Sequence, residues 1–283
     1  GVHWYNAVGS AYWNRRLKAG NWRTSISYSG FDNRISVDAT AAGVKTKAGW
    51  ASIDIKNRLS KGLRDDLILN ASADYTHYFY LPLQFTSQGS IGILEMPTAK
   101  PMKYGEEASL GADLRHTVNH YFAYHAGVHA SIYHNDQTYF GIDPRITFQF
   151  TPAENHKITL HGGCYTQYFH KAGLTGGGLP TDFFLLADST FKPERAIATS
   201  LRYSASFLNK RWSTQVEGYF KQILGIVESL GNIVQLINRE FEYEKYLITG
   251  DGRNYGMNLM LQKNSGILTG YVSYSLGWAR RKL

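Results

Sequence analysis

Leu67-Ile68-Leu69-Asn70-Ala71-Ser72-Ala73-Asp74-Tyr75-Thr76-His77-Tyr78-Phe79-Tyr80-Leu81 decides the fold. Leu67, Leu69, Ala71, Ala73, Tyr75, His77, Phe79 and Leu81 fall on one side of an extended chain. Ile68, Asn70, Ser72, Asp74, Thr76, Tyr78 and Tyr80 fall on the other. A strand alternates its side chains with a period of two, whereas a helix repeats every 3.6 residues. One mostly apolar face against one mostly polar face, kept over 15 residues, is a strand pattern.

The pattern recurs along the chain. Ala108, Leu110, Ala112 and Leu114 alternate with Glu107, Ser109, Asp113 and Arg115. Phe122, Tyr124, Ala126, Val128, Ala130 and Ile132 alternate with His125, His129 and Ser131. Trp212, Val216, Phe220 and Leu224 oppose Gln215, Glu217 and Lys221. Leu268, Gly270, Val272, Tyr274, Leu276 and Trp278 oppose Thr269, Tyr271, Ser273 and Ser275. About twelve strands follow from the same periodicity: 4–18, 22–37, 45–59, 66–82, 105–118, 121–134, 142–152, 156–169, 195–208, 211–226, 253–263 and 267–281. Most are far longer than the roughly 5 or 6 residues of an ordinary strand. Short turns (18–21, 60–63, 119–120, 152–155, 209–210, 264–266) alternate with longer connections (38–44, 83–104, 135–141, 170–194, 227–252). Tight turns on one rim and long loops on the other are the plan of a transmembrane β-barrel.

Composition agrees. Aromatic residues make up 14% of the 283, and charged residues 18%, below the roughly 25% of an ordinary soluble chain. Mean hydropathy is slightly negative, and no stretch approaches the roughly 18 apolar residues of a membrane helix. A spanning barrel needs only alternate residues to be apolar. The net charge of +8 comes from scattered Lys and Arg rather than a basic block, so a nucleic-acid partner is not expected.

The apolar face could line a sandwich core or touch lipid. A 15-residue strand reaches some 50 Å, too long for most sandwich cores. Tilted by about 45°, it clears a hydrocarbon layer of about 30 Å. Asp74, Asp113, Arg115, Glu217 and Lys221 sit mid-strand on polar faces, where a dry core would penalise each unpaired charge by several kcal/mol. A wet or plugged lumen tolerates them. Trp4, Trp22, Tyr78, Tyr80, Trp212 and Trp278 lie near strand ends and are expected in interfacial girdles. The reading is an all-β, antiparallel transmembrane-type barrel wall.

Several motifs resemble the barrel of TonB-dependent outer-membrane receptors. Lys192-Pro193-Glu194-Arg195, followed by Ala196-Ile197-Ala198-Thr199-Ser200-Leu201-Arg202-Tyr203, resembles the family's recurrent Pro-Glu strand opening. Gln215-Val216-Glu217-Gly218-Tyr219-Phe220-Lys221 resembles its hairpin partner. Gly252-Arg253-Asn254-Tyr255-Gly256-Met257-Asn258 resembles the family's G-x-x-x-G-x-E strand, with Asn258 in the acidic position. Thr269 to Leu276 resembles the strand that follows, and Arg280-Arg281 its basic end. The resemblance implies a segment of a larger barrel of roughly 22 strands. It implies an outer-membrane location in a Gram-negative envelope and a partner in membrane lipid. It also implies a plug domain and a TonB energy-coupling partner in the full-length protein, and import of a scarce nutrient such as an iron chelate, cobalamin or glycan. Residues 1–283 read as a single barrel segment with no plug of their own, transport-incompetent alone, whose open edges could pair into a dimer. The alternatives are another outer-membrane barrel, a porin or adhesin, or a soluble β-sandwich carbohydrate-binding module.

No enzyme, cofactor or metal is expected. His125 and His129 share a face, but residues four apart on a strand are about 13 Å apart, too far for one ion. Cys164 is the single cysteine, and a lone Cys on an apolar strand face is a small hydrophobe. Gly176-Gly177-Gly178 precedes no helix and makes no phosphate cradle. Nothing resembles a nucleophile elbow. Rigid barrels present variable loops for recognition, so Arg239, Phe241, Tyr243 and Tyr246 are the candidate ligand-binding residues.

Overall fold

The protein, here a computed structural model, is described over residues 1–39, 42–89, 101–173, 182–230 and 243–283. The strands are β1 (Val2–Leu17), β2 (Gly20–Ala39), β3 (Ala42–Arg64), β4 (Leu67–Gly89), β5 (Lys103–Thr117), β6 (Phe122–His134) and β7 (Thr138–Ala153). Then come β8 (His156–Gln167), β9 (Phe169–Gly173), β10 (Asp182–Leu186), β11 (Glu194–Phe207), β12 (Trp212–Ser229), β13 (Leu247–Lys263) and β14 (Gly270–Lys282). One 3-10 turn, Tyr243–Tyr246, precedes β13.

Twelve of these strands form one antiparallel sheet in the order β1-β2-β3-β4-β5-β6-β7-β8-β11-β12-β13-β14, while β9 and β10 pair separately. Every neighbour along the large sheet is also a neighbour in sequence, apart from the inserted β9–β10 hairpin. All twelve expected strands are present. Most extend further than the periodicity indicated, because strand pairing continues past the last clearly alternating residue. The expected 38–44 loop is mostly strand, with Ala39 paired to Ala42. The expected 60–63 turn is strand up to Arg64, with an irregularity at Gly62/Arg64. Inside the expected 170–194 loop lies the β9–β10 hairpin, which the periodicity did not reveal.

The register assigns the faces. On β4, Thr76, Tyr78 and Tyr80 are buried, while Leu69 and Tyr75, of the opposite parity, are exposed. The same inversion holds elsewhere: Leu110, Ile142, Ile197, Leu201 and Val272 all stand exposed on the apolar face. No second sheet covers that face among the described residues, so the sandwich alternative fails. β9 touches β12 while β10 touches β3 and β4. Those strands lie far apart in the sheet order, so the sheet curls and the hairpin occupies its concave side. The concave side is the polar one.

Several charges on the inner face are paired. Arg58 grips Asp74, with Nη2 donating to Oδ2 at 2.8 Å. Arg202 donates to Glu217, its direct cross-strand partner, at 3.1 Å. Asp113 on β5 and Arg145 on β7 approach to 3.3 Å across β6. They can do so because Gly127 lies between them, where a Cβ would collide with the Asp113 carboxylate.

Two expectations about aromatics are corrected. Tyr78 and Tyr80 are not girdle residues; they are 7% and 3% exposed on the inner face. Trp4 also falls on the inner face by register, opposite the buried Asn33. Both tyrosines belong to the polar set of the alternation, which their proximity to a strand end obscured. Trp22, Trp212 and Trp278 do face outward. Trp278 stacks on Tyr255 with ring centroids 5.4 Å apart near the loop rim. Trp212 stacks on Phe207 near the turn rim.

Adjacent residues Ser200 and Leu201 test the face assignment. In lipid vesicles, Leu201→Lys is expected to lower unfolding stability by about 2–4 kcal/mol, the cost of a lysine facing mid-membrane lipid. Ser200→Lys should change it far less. Equal losses in denaturant titrations would contradict the assignment.

Candidate functional site

The inner face carries an aromatic cluster at the long-loop end. Tyr133 is fully buried and stacks on Tyr168 with centroids 4.7 Å apart and planes within 6°. Tyr78 lies beside Tyr133 at 6.2 Å. Gly105 makes this possible, since a Cβ there would stand 2.7 Å from the Tyr133 hydroxyl. Trp50 on β3 contacts Phe169 on β9 and Phe184 on β10, at 5.8 and 5.7 Å. Phe31 on β2 meets the edge of Phe184 at 5.6 Å. The hairpin thus inserts its own rings among those of the wall. Phe183, Leu185, Leu186, Ala187 and Phe191 complete the cluster, all buried.

Four tyrosines place their rings in or against the cluster and their hydroxyls on polar partners. Tyr78 donates to Glu107 at 2.6 Å. Tyr168 and Ser131 share a hydrogen bond of 2.7 Å. Tyr133 donates to the Ala187 carbonyl at 3.3 Å, and Tyr139 to the Asp188 carbonyl at 2.7 Å. Asn135 also donates to the Ala187 carbonyl. In the β6–β7 turn, Asp136 accepts from the Ser189 backbone and hydroxyl at 3.1 and 2.7 Å. These bonds hold its carboxyl below the usual range, outweighing the opposing effect of desolvation. Asp188 caps its own turn by accepting from the Thr190 and Phe191 backbone. Residues 187–191 therefore form a clasp that fastens the hairpin's exit to β6 and β7.

His170 is the anomaly of the cluster. It is 1% exposed, and neither ring nitrogen has a hydrogen-bond partner among the described residues. The Phe191 and Lys192 backbone lies near without reaching hydrogen-bond geometry. Burial pushes the imidazole below its ordinary pKa, against the opposing pull of Asp188. The hairpin is thus packed around a histidine whose burial favours the neutral form.

A second polar region lies toward the short-turn rim. A cavity of about 640 Å³ is bordered there by Asn14, Arg23, Arg58, Asn70, Asp113 and His125. His125 faces Asp113 at 3.6 Å. Among the described residues, no group of three or more His, Cys, Asp or Glu is placed to hold a metal ion. Cys164 pairs with Ile197 on the outer face.

The four candidate ligand residues are only partly placed. Arg239 and Phe241 lie outside the described residues. Tyr243 opens the 3-10 turn. Tyr246 packs against the buried cluster, and its carbonyl accepts from the Leu230 backbone at 2.8 Å. The inward hairpin is the feature that sequence reasoning missed. Its signal was Asp182-Phe183-Phe184-Leu185-Leu186, an apolar run inside a glycine-rich connection.

No protein-family model matches the sequence, and no curated protein matches it. Solved structures do. The copper transporter OprC superposes with a TM-score of 0.66 at 9% identity, over 97% of this chain and 46% of that one. The pyoverdine outer-membrane receptor FpvA from Pseudomonas aeruginosa PAO1, bound to pyoverdine, gives 0.61 at 10% identity, over 99% and 45%. The FrpB iron transporter from Neisseria meningitidis gives 0.58 at 10% identity, over 93% and 44%. The fold is that of the barrel of TonB-dependent outer-membrane receptors. The chain spans less than half the length of these structures. They are transporters and receptors, not enzymes.

Removing the Tyr133 ring leaves Tyr168 and Tyr78 facing a void. Tyr133→Ala is expected to loosen the docked hairpin by on the order of 3–5 kcal/mol, read as faster amide exchange at Phe183–Ala187. Acid should loosen it too. The depressed His170 pKa means that docking is strongest above about 6.5, the ordinary imidazole value, and weakens as pH falls below it. His170→Phe should remove that dependence. Exchange that is flat with pH in the parent protein would contradict the prediction.

Proposed function

We propose that this chain forms part of the wall of a TonB-dependent outer-membrane receptor in a Gram-negative envelope, and that the full-length protein imports a scarce nutrient. The observation that carries the reading is the inverted sheet: an exposed apolar outer face around a polar inner face that holds a docked hairpin. Such a wall needs lipid outside. Inside, it needs water, a ligand or a plug domain. The nutrient classes this architecture suits are an iron chelate, a cobalamin or a glycan, met first at the long-loop rim. Energised import requires a plug and a TonB-type partner. Residues 1–283 serve as barrel wall in that assembly.

A closed twelve-stranded porin or adhesin is less well supported. β1 and β14 are not paired with each other among the described residues, and β14 is exposed along its whole length. Further barrel strands would satisfy both edges. A second copy could do the same, joining two partial sheets in a dimer.

Arg239, Phe241, Tyr243 and Tyr246 remain the proposed ligand contacts. Tyr246 links the loop rim to the buried cluster, so a ligand touching it would be felt by the hairpin. The test is a binding screen with the chain in lipid nanodiscs, using ferric chelates, cobalamins and oligosaccharides, followed by tryptophan fluorescence. One class should bind, and Tyr246→Ala should weaken that binding about tenfold, as expected for an aromatic contact worth about 1.4 kcal/mol. A protein that stays monodisperse in water without detergent, or that binds none of the three classes, would sink the reading.

A further inference from the structure

On the outer face, near the loop rim, Arg253 and Arg280 are direct cross-strand partners. Like charges set opposite each other on one face repel, with Cβ atoms only about 4.5–5.5 Å apart. Neither guanidinium has a carboxylate partner among the described residues. Arg280 lies over the Tyr255 ring at 5.8 Å. The next pair toward the rim is Asp251 and Lys282. Asp251 accepts from the Gly225 backbone and leaves the four-residue patch with two positive charges in excess.

Two other arginines toward the loop rim are ion-paired. Arg34 meets Asp32 at 2.8 Å, and Arg281, on the inner face, is bonded to Glu228. The twin arginines stand apart from that pattern. Their height is also specific. One rung toward mid-membrane lie Tyr255 and Trp278, stacked on each other and facing lipid. Beyond them come Met257 with Leu276, then Leu259 with Tyr274, then Leu261 with Val272. An aromatic pair that ends an apolar column marks the hydrocarbon boundary. Two residues of tilted strand, about 7 Å along the chain and about 5 Å along the membrane normal, raise the arginines from there to the depth of lipid headgroups.

We propose that Arg253 and Arg280 together clamp a phosphate group of an anionic lipid headgroup in the outer leaflet. Two guanidinium forks present donors matched to phosphate oxygens, and one shared anion converts their repulsion into attraction. The inference rests on the outer-membrane reading above.

The test incubates the detergent-solubilised full chain with phosphorylated lipid A, with dephosphorylated lipid A, or with phosphorylated lipid A plus excess inorganic phosphate. Lipid retained through gel filtration is measured by mass spectrometry. Phosphorylated lipid should be retained and dephosphorylated lipid should not, with inorganic phosphate competing poorly. R253Q/R280Q should lower retention about tenfold or more, while R34Q leaves it unchanged. Heat-modifiable gel mobility checks that each variant is folded. Equal retention of both lipids, or no loss in the double variant, overturns the site. Full displacement by inorganic phosphate overturns the lipid as its source. A protein that folds but never enters vesicles instead refutes the outer-membrane reading itself.

Discussion

A strand crossing hydrocarbon finds no water for its N–H and C=O groups, so every rung must be closed by a neighbouring strand. The ladders obey this where it matters most. Register irregularities fall at Lys47/Gly49 and Gly62/Arg64, at Phe150/Ala153 and at Leu224/Ile226, all toward strand ends. Apart from the β7–β8 ladder, the middles run unbroken. Pro144 shows the limit clearly. It lacks an N–H, and the β7–β8 ladder stops beside it, at Arg145 opposite Gly163. Above that point side chains take over: Thr166 bonds to the Asp143 carboxylate, and Arg195 donates to the Phe140 carbonyl. Side-chain bonds thus replace the β8 backbone ladder along the upper half of β7.

The same constraint explains why so much of the fold was legible. Two solvents on two faces impose a period of two, and the chain writes that period openly from Leu67 to Leu81 and from Phe122 to Ile132. Strand number, order and facing follow from it. Strand ends do not, because pairing above the membrane no longer needs an apolar face. The 38–44 segment is small residues with Asp38 and Gly43 and shows no apolar alternation, yet Asp38 pairs with Gly43 and Ala39 with Ala42. The hairpin at β9 and β10 was hidden for another reason. Its five-residue strands lack room to show a period, and Phe183-Phe184-Leu185-Leu186 is apolar on both sides.

That hairpin inverts the usual relation between core and surface. Among the described residues the barrel wall has no buried apolar interior of its own, and the buried cluster is made where a connection folds back against the polar face. Tyrosine suits this place better than leucine or phenylalanine. Its ring joins the cluster while its hydroxyl satisfies Glu107, Ser131 or a main-chain carbonyl. Reading Tyr78 and Tyr80 as girdle residues failed because position along a strand was weighed above parity. Of the recognition residues, Tyr246 could be seen as aromatic and near a loop, but its contact with the cluster depends on a partner far away in sequence.

Register is the remaining question, since a polar inner face specifies it weakly. A slip of one residue between β3 and β4 would turn Arg58 or Asp74 toward lipid. Arginine at mid-membrane costs about 2–4 kcal/mol. The slip would also break the Arg58–Asp74 pair and carry Leu69, Ala71 and Ala73 into the lumen. A slip by two keeps the faces but separates Arg202 from Glu217 and moves Gly127 from between Asp113 and Arg145. The outer face therefore forbids odd slips and the inner ion pairs disfavour even ones. Each set of residues removes the errors that the other would permit, which is why weakly stabilising charge pairs belong on the inner wall.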